Sequence, residues 1–278
     1  MIEPLQFGEA FLADVRAVRG MPGLHLWWLG QSGFLLHHEG RFALLDPYLS
    51  DSLTAKYTAT DKPHVRMTGR VVAPEKLSFV HVVTSSHNHT DHLDADTLKP
   101  LLAANPKLKL VVPEANREFV SQRLGVPLNV PEGVEDGMSV RAGGFEFHGV
   151  PAAHERRELD EMGRDFFLGY VVRAGRFTVY HSGDTVLYDG MVEKLEQFEI
   201  DVALLPINGR SPQRRVAGNL DGREAAQLAK YVGAKLVVPC HYEMFEFNTA
   251  SPELFTAECQ RLGQPFKVLR AGERCTIQ

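Results

Sequence analysis

No run of apolar residues in this sequence approaches the roughly 18 that a membrane-spanning helix requires, so a soluble chain without a membrane partner is expected. The opening Met1-Ile2-Glu3-Pro4 has neither a basic n-region nor an apolar h-region, and no secretory leader is expected there. Cysteine is scarce. Cys240, Cys259 and Cys275 are too few and too scattered for a disulfide framework, and their odd number fits reduced thiols in a cytoplasmic protein. Positive charge is not in excess either: 30 Lys and Arg against 35 Asp and Glu leave a net charge of -5. No global basic field advertises a nucleic acid or an anionic membrane, and any recognition of phosphate must be local. There is also no linker. The 278 residues are therefore read as a single domain, with 1–20 a surface helix, large enough to bury about three quarters of its unfolded surface.

Histidine is plentiful in one place. Ser85-Ser86-His87-Asn88-His89-Thr90-Asp91-His92-Leu93-Asp94 crowds three imidazoles and several polar or acidic side chains onto the end of an apolar run. Phe79 to Thr84 reads as a buried strand and Asp94 as the N-cap of a helix from Ala95, which places the cluster in a strand-to-helix loop. Residues two apart diverge on a helix, but in a turned loop His87 and His89 can share one metal. Asp91 and His92 are adjacent, must diverge, and suit a second ion beside the first. Imidazole and carboxylate without thiolate suit zinc, manganese or iron, and the sequence does not rank them.

His87-Asn88-His89-Thr90-Asp91-His92 resembles the His-x-His-x-Asp-His signature of the metallo-β-lactamase superfamily, whose members are mostly binuclear hydrolases. The resemblance implies two divalent metal ions, zinc or manganese, but says nothing about substrate.

Along the chain, Phe7 to Arg19 has helical spacing with one apolar face. Pro22-Gly23 stops it, and strands follow at Leu24 to Leu29, Gly33 to His38 and Arg41 to Asp46. Asp46 at that strand end is a candidate acceptor for the outer nitrogen of a metal-ligating imidazole. Asp51 to Glu75 has no clear period and reads as a long loop, fit for a lid or a subunit contact. Ala95 to Ala104 is a helix disturbed by Pro100, Leu108 to Val112 a strand, and Pro113 to Leu124 a helix with proline at its first position. Strands at Ser139 to Ala142 and Phe145 to Val150 lead to His154, the third neutral nitrogen for the ion held by His87 and His89.

The second half restates this pattern. Phe167 to Arg173 and Phe177 to His181 pair as a hairpin that ends in Ser182-Gly183-Asp184-Thr185. Asp184 after its glycine can bridge two metals, and the superfamily uses a Gly-Asp pair at this point. A helix follows at Met191 to Phe198 and a strand at Asp201 to Ile207. A helix at Gly222 to Tyr231 then returns to strand Lys235 to Pro239, whose end carries His241, the residue that completes the second metal with Asp91, His92 and Asp184. A last helix runs from Ser251-Pro252 to Leu262, and strands at Phe266 to Leu269 and Arg274 to Ile277 close the sheet. His25, His37, His38, His64, His81, His148 and His181 read as structural or exposed. Two similar halves of alternating strands and helices give an α/β fold, a four-layer αββα sandwich with the metals at one edge.

Pro206-Ile207-Asn208-Gly209-Arg210, Gly218-Asn219, Val238 to Phe245, Asn248-Thr249 and Asp46 to Asp51 resemble the L-ascorbate-6-phosphate lactonase group. This implies a lactonase opening a phosphorylated sugar lactone, with Asp91 and Asp184 as catalytic carboxylates and a homo-oligomeric assembly. A phosphodiesterase of the ribonuclease Z or phospholipase D type is the enzyme alternative, and a non-catalytic binding protein, which would show lost ligands, the third. Asn208, Arg210, Arg214, Arg215, Asn219 and Tyr242 are the expected substrate-binding residues, because guanidinium forks match phosphate oxygens.

Overall fold

The structure, a computed structural model, describes residues 1–278. Helix α1 (Gly8–Ala17) buries Phe11 and Val15, after which β1 (Leu24–Gly30), β2 (Gly33–His38) and β3 (Arg41–Leu45) form an antiparallel meander. The chain then passes through α2 (Ser52–Tyr57) and changes direction. Strands β4 (Val82–Thr84), β5 (Lys109–Pro113) and β6 (Pro131–Val134) add to β3 in parallel, with α3 (Ala95–Ala104) and α4 (Arg117–Leu124) as crossovers.

The second sheet repeats this plan. Strands β7 (Ser139–Ala142), β8 (Phe145–Pro151), β9 (Leu168–Ala174) and β10 (Phe177–His181) are antiparallel, and β11 (Val202–Pro206) and β12 (Leu236–Cys240) continue in parallel. Helices α5 (Met191–Leu195), α6 (Gly222–Tyr231) and α7 (Glu253–Leu262) belong to this half, and β13 (Arg274–Ile277) returns to the first sheet beside β1. The sheet orders are β13-β1-β2-β3-β4-β5-β6 and β12-β11-β10-β9-β8-β7. The result is the four-layer αββα sandwich.

One apolar core runs through both sheets, joining Leu35, Leu44 and Val83 of the first to Val172, Val179 and Leu204 of the second. Burial on both faces explains why β11 reads as an unbroken apolar run, and why β1 is apolar on both faces except for the buried His25. Helix α6 starts at a capping box, Asp221 with Glu224, and crosses α7 where a Cβ on Gly222 would come within 2.6 Å of the Phe255 backbone nitrogen. No helix is long and apolar enough to cross a membrane.

Several elements depart from the sequence reading, each for a local reason. Phe7 precedes α1 and is about half exposed. The strand expected from Phe79 begins only at Val82, where β3 and β5 supply partners on both sides. Pro113 closes β5 instead of opening a helix, and a 3-10 turn at Glu114–Asn116 separates it from α4. Residues 51–75 are not structureless: they contain α2 and a 3-10 turn at Pro74–Lys76. Strand β6 was hidden by its proline and glycine, the α5 helix stops at Leu195, and Phe266 makes only an isolated bridge to Val237 in place of a strand.

His37 in β2 is fully buried, and its Nε2 accepts the Gly40 N–H at 3.1 Å, which requires the neutral ring. Burial, aided by repulsion from His25, lowers its pKa from 6.5 to about 4. Because the unfolded chain protonates first, this contribution is complete above pH 6.5 and is lost as pH falls towards about 4. Its full size is on the order of 3 kcal/mol. His37→Gln keeps an acceptor without the titration and is expected to flatten the dependence of urea midpoints on pH between 4 and 7; an unchanged slope would assign the effect elsewhere.

Candidate metal centre

The histidine loop is pinned at both ends. Thr84 ends β4, and the Asp94 side chain accepts the Asp96 N–H at 3.3 Å to start α3. From the neighbouring strand end, Asp46 reaches across with a fully buried carboxylate. It accepts the Ser86 N–H at 3.0 Å, the Thr84 hydroxyl at 3.0 Å, His92 Nδ1 at 2.8 Å, and the Ser86 hydroxyl in a short bond. Donation from Nδ1 to Asp46 sets the His92 tautomer and turns Nε2 inward.

The other candidates arrive from strand ends of the second sheet: His154 after β8, Asp184 after β10 and His241 after β12. His154 is oriented by Nδ1 donating to the Gly218 carbonyl at 3.0 Å. Gly183 has φ of +60°, and a Cβ there would meet Ser86 Cβ at 2.6 Å. Only glycine lets the turn that carries Asp184 press against the histidine loop.

These side chains converge in two sets, His87 with His89 and His154, and Asp91 with His92, Asp184 and His241, each with donor atoms within 4.8 Å of one another. Asp184 reaches both. Its Oδ2 lies 3.8 Å from His154 Nε2 and 3.3 Å from His241 Nε2, and its Oδ1 lies 3.3 Å from His92 Nε2. Ligands on a tetrahedral ion with bonds near 2.1 Å are separated by about 3.4 Å, so this spacing fits metal ligation. The buried His87 Nε2, His92 Nε2 and Asp184 Oδ1 have no hydrogen-bond partner, as inward-facing ligand atoms should lack one. The donor set fits divalent metal.

Charge follows the same division. Burial opposes ionisation of His92 and Asp184, but Asp184 and Asp91 raise the His92 pKa well above its usual value, while His241 and His92 hold Asp184 well below the carboxylate range. His87 and His89 are kept neutral mainly by burial, which lowers both. Neutral imidazoles on one side face an acidic set on the other.

The centre is the floor of a cleft of about 500 Å³, with His89, Asp91, His154, Asp184 and His241 on its lining. None of the six expected substrate-binding residues lies there. Arg210 is paired with Glu224, Nη1 to Oε2 at 2.9 Å, and opens onto a neighbouring depression with Arg215. Arg215 is paired with Asp61 at 2.8 Å. Arg214 donates to the Asn208 and Thr249 carbonyls, Asn219 to Asn208, and Asn208 to Asn248, so this loop is stapled to itself and to the segment at Asn248 and Thr249. Tyr242 is buried, stacked on Trp28 at 4.4 Å, with its hydroxyl donating to the Leu269 carbonyl.

The cleft's cations are instead Lys56 and Arg123, which line it with Phe119, Phe245, Phe247 and His64; none of these is expected from the sequence to bind substrate, and His64 reads there as structural or exposed. It also missed Gln31, whose Nε2 donates to Asp91 Oδ2 at 2.8 Å and stands 3.0 Å from His241 Nε2. The polar pair Gln31-Ser32 set between Gly30 and Gly33, in the turn joining two apolar runs, was the signal the sequence offered, and in the structure Gln31 sits there at φ of 50°.

Two mixed sheets stacked face to face gather histidines and aspartates at their strand ends, in groups able to hold a metal ion. The chain belongs to the beta-lactamase superfamily, and residues 41–242 match its family profile, described as the Beta-lactamase superfamily domain. It is 31% identical over 242 residues to a UPF0173 metal-dependent hydrolase of Methanoregula boonei, covering 86% of this chain and 90% of that protein. Among solved structures it is similar in fold to a metallo hydrolase from Ignicoccus hospitalis (TM-score 0.67, 24% identity, 92% and 98% of the two chains). A possible metal-dependent hydrolase from Veillonella parvula is also similar (TM-score 0.73, 18% identity, 92% and 100%).

If Asp46 sets the orientation of His92, Asp46→Asn should weaken metal binding by about 10- to 100-fold in competition with a chromophoric chelator, with the fold retained by circular dichroism. An unaltered affinity would show that the histidine loop holds its geometry without this carboxylate.

Proposed function

We propose that this hydrolase opens a lactone that carries an anionic group, a phosphorylated sugar lactone being one such substrate. The observation that carries the reading is the cleft: a small-molecule volume with the histidine and aspartate cluster as its floor and Lys56 and Arg123 on its walls. Arg123 donates through Nη1 to the Asn88 and Leu93 carbonyls, which leaves Nε and Nη2 without protein partners. Those N–H groups suit a phosphate or carboxylate.

In this reading His87, His89 and His154 would hold one ion and Asp91, His92 and His241 another, with the Asp184 carboxylate in reach of both sets. Divalent metal bound there would supply Lewis acidity and a lowered pKa for the hydrolytic water. The protein's own groups do the rest. Asp46 and Gln31 hold His92 and Asp91 in place, and the Asp184 carboxylate takes a proton from water and passes it to the departing oxygen. Water oxygen bonds to the acyl carbon, the acyl C–O bond breaks, and a hydroxy acid results. Phosphodiester cleavage is the competing outcome, but the cleft presents two cations and no extended basic track for a polymeric substrate.

Metal-reconstituted protein should hydrolyse lactones in a panel that also holds bis(p-nitrophenyl) phosphate; turnover of the phosphodiester alone would overturn the reading. Asp184→Asn should lose metal and lactone turnover together, turnover by on the order of a hundredfold. Arg123→Gln should cost roughly 1.5 to 3 kcal/mol in kcat/KM on an anionic lactone and much less on its neutral analogue, whereas Arg210→Ala should not discriminate between the two.

A further inference from the structure

Above the metal centre, one wall of the cleft is built of aromatic side chains. Tyr57 stacks on His64 with centroids 4.2 Å apart, and Phe247 and Phe245 meet the same imidazole edge-on at 4.5 and 5.2 Å. Backbone bonds hold the two contributing segments together: Met67 N–H to the Met244 carbonyl at 2.8 Å and Glu246 N–H to the Val65 carbonyl at 3.1 Å. The Thr54 hydroxyl fixes the His64 carbonyl at 2.7 Å, tying α2 to the same wall. Behind these rings Tyr48, Leu53, Met244 and Phe245 form a buried cluster of their own, apart from the main core, and Tyr57 and Phe247 rest on it partly exposed to the cleft. A second apolar tier thus supports rings that stay partly exposed.

We propose that this wall is a substrate slot for a planar apolar group, so that the preferred lactone or ester carries an aromatic body whose anionic substituent meets Lys56 and Arg123. The inference rests on the hydrolase reading above and narrows its substrate class. Offset and edge-to-face ring contacts favour a flat π-system over an aliphatic ring of equal size, and desolvating it is inexpensive. The Lys56 ammonium lies 5.1 Å from the Tyr57 centroid and the Arg123 guanidinium 4.6 Å from that of Phe119, so cations and rings are already interleaved around the opening.

Dihydrocoumarin and δ-valerolactone share the lactone ring and differ in the fused benzene, and 1-naphthoate is a non-hydrolysable planar anion whose binding can be followed by its fluorescence. Phe247→Ala, with Phe247→Leu and Tyr57→Leu as milder variants, should lower the dihydrocoumarin to δ-valerolactone ratio of kcat/KM by about tenfold and weaken 1-naphthoate to a similar degree. Comparing the ratio between variant and wild type cancels the greater intrinsic reactivity of the aryl ester. If the ratio and the naphthoate affinity are both indifferent to these variants, the slot is refuted while the hydrolase reading stands. If the variants depress glucono-1,5-lactone as strongly as dihydrocoumarin, the wall is a sugar platform and the proposal is overturned. Should neither lactone turn over while naphthoate still binds and depends on Phe247, the slot is supported and the lactonase reading fails.

Discussion

A single buried carboxylate organises this protein. Asp46 would be costly as an unpaired charge in the interior, and the fold offsets that cost with four donors drawn from β4 and the loop that follows it. Burial alone would raise its pKa, yet the hydrogen bond from His92 and the nearness of His181 bring it below the usual range. The same bonds that satisfy Asp46 determine where Ser86 and His92 stand. Folding the strand ends and shaping the centre are therefore one event.

The second sheet closes the arrangement. Tyr170 donates its hydroxyl to the Ser85 carbonyl at 2.9 Å, and the Leu168 N–H reaches the Ser86 carbonyl at 3.0 Å. The histidine loop is clamped between sheets, and His154, Asp184 and His241 come to it from three strand ends that share one edge of the sandwich. This explains how six separate segments, Gln31 and Asp46 included, place side chains around one point with little freedom: each is the first residues after a strand whose register is set by the core.

The cleft beyond the centre is built on a different principle. Its walls come from α2, the segment around Phe245 and the stapled loop between Asn208 and Asn219, elements held by side-chain bonds and local stacking more than by the common core. Lys62 and Asp61 reach across to Arg215, so the two rims are joined to each other. A rigid floor with independently built walls allows the binding surface to vary while the metal-binding geometry stays constant.

Sequence by itself determined the alternation of strands and helices, the sandwich, and the histidine and aspartate positions, because period, turn chemistry and ligand spacing are local properties that survive without a fold. The seven ligand candidates it named all fall in clusters that the structure brings together. What it could not determine is which polar groups are free. Arg210 looks available as a residue type, but Glu224 in the cap of α6 takes its guanidinium, and Arg214 is consumed by the Asn208 carbonyl of its own loop and the Thr249 carbonyl of a segment distant in sequence. Lys56, Arg123 and Phe247 carry no shared motif, since the proximity that makes them one surface arises only when α2, α4 and the segment after β12 fold against the same cleft. Partner choice depends on distance in space, and that was decided by tertiary structure alone.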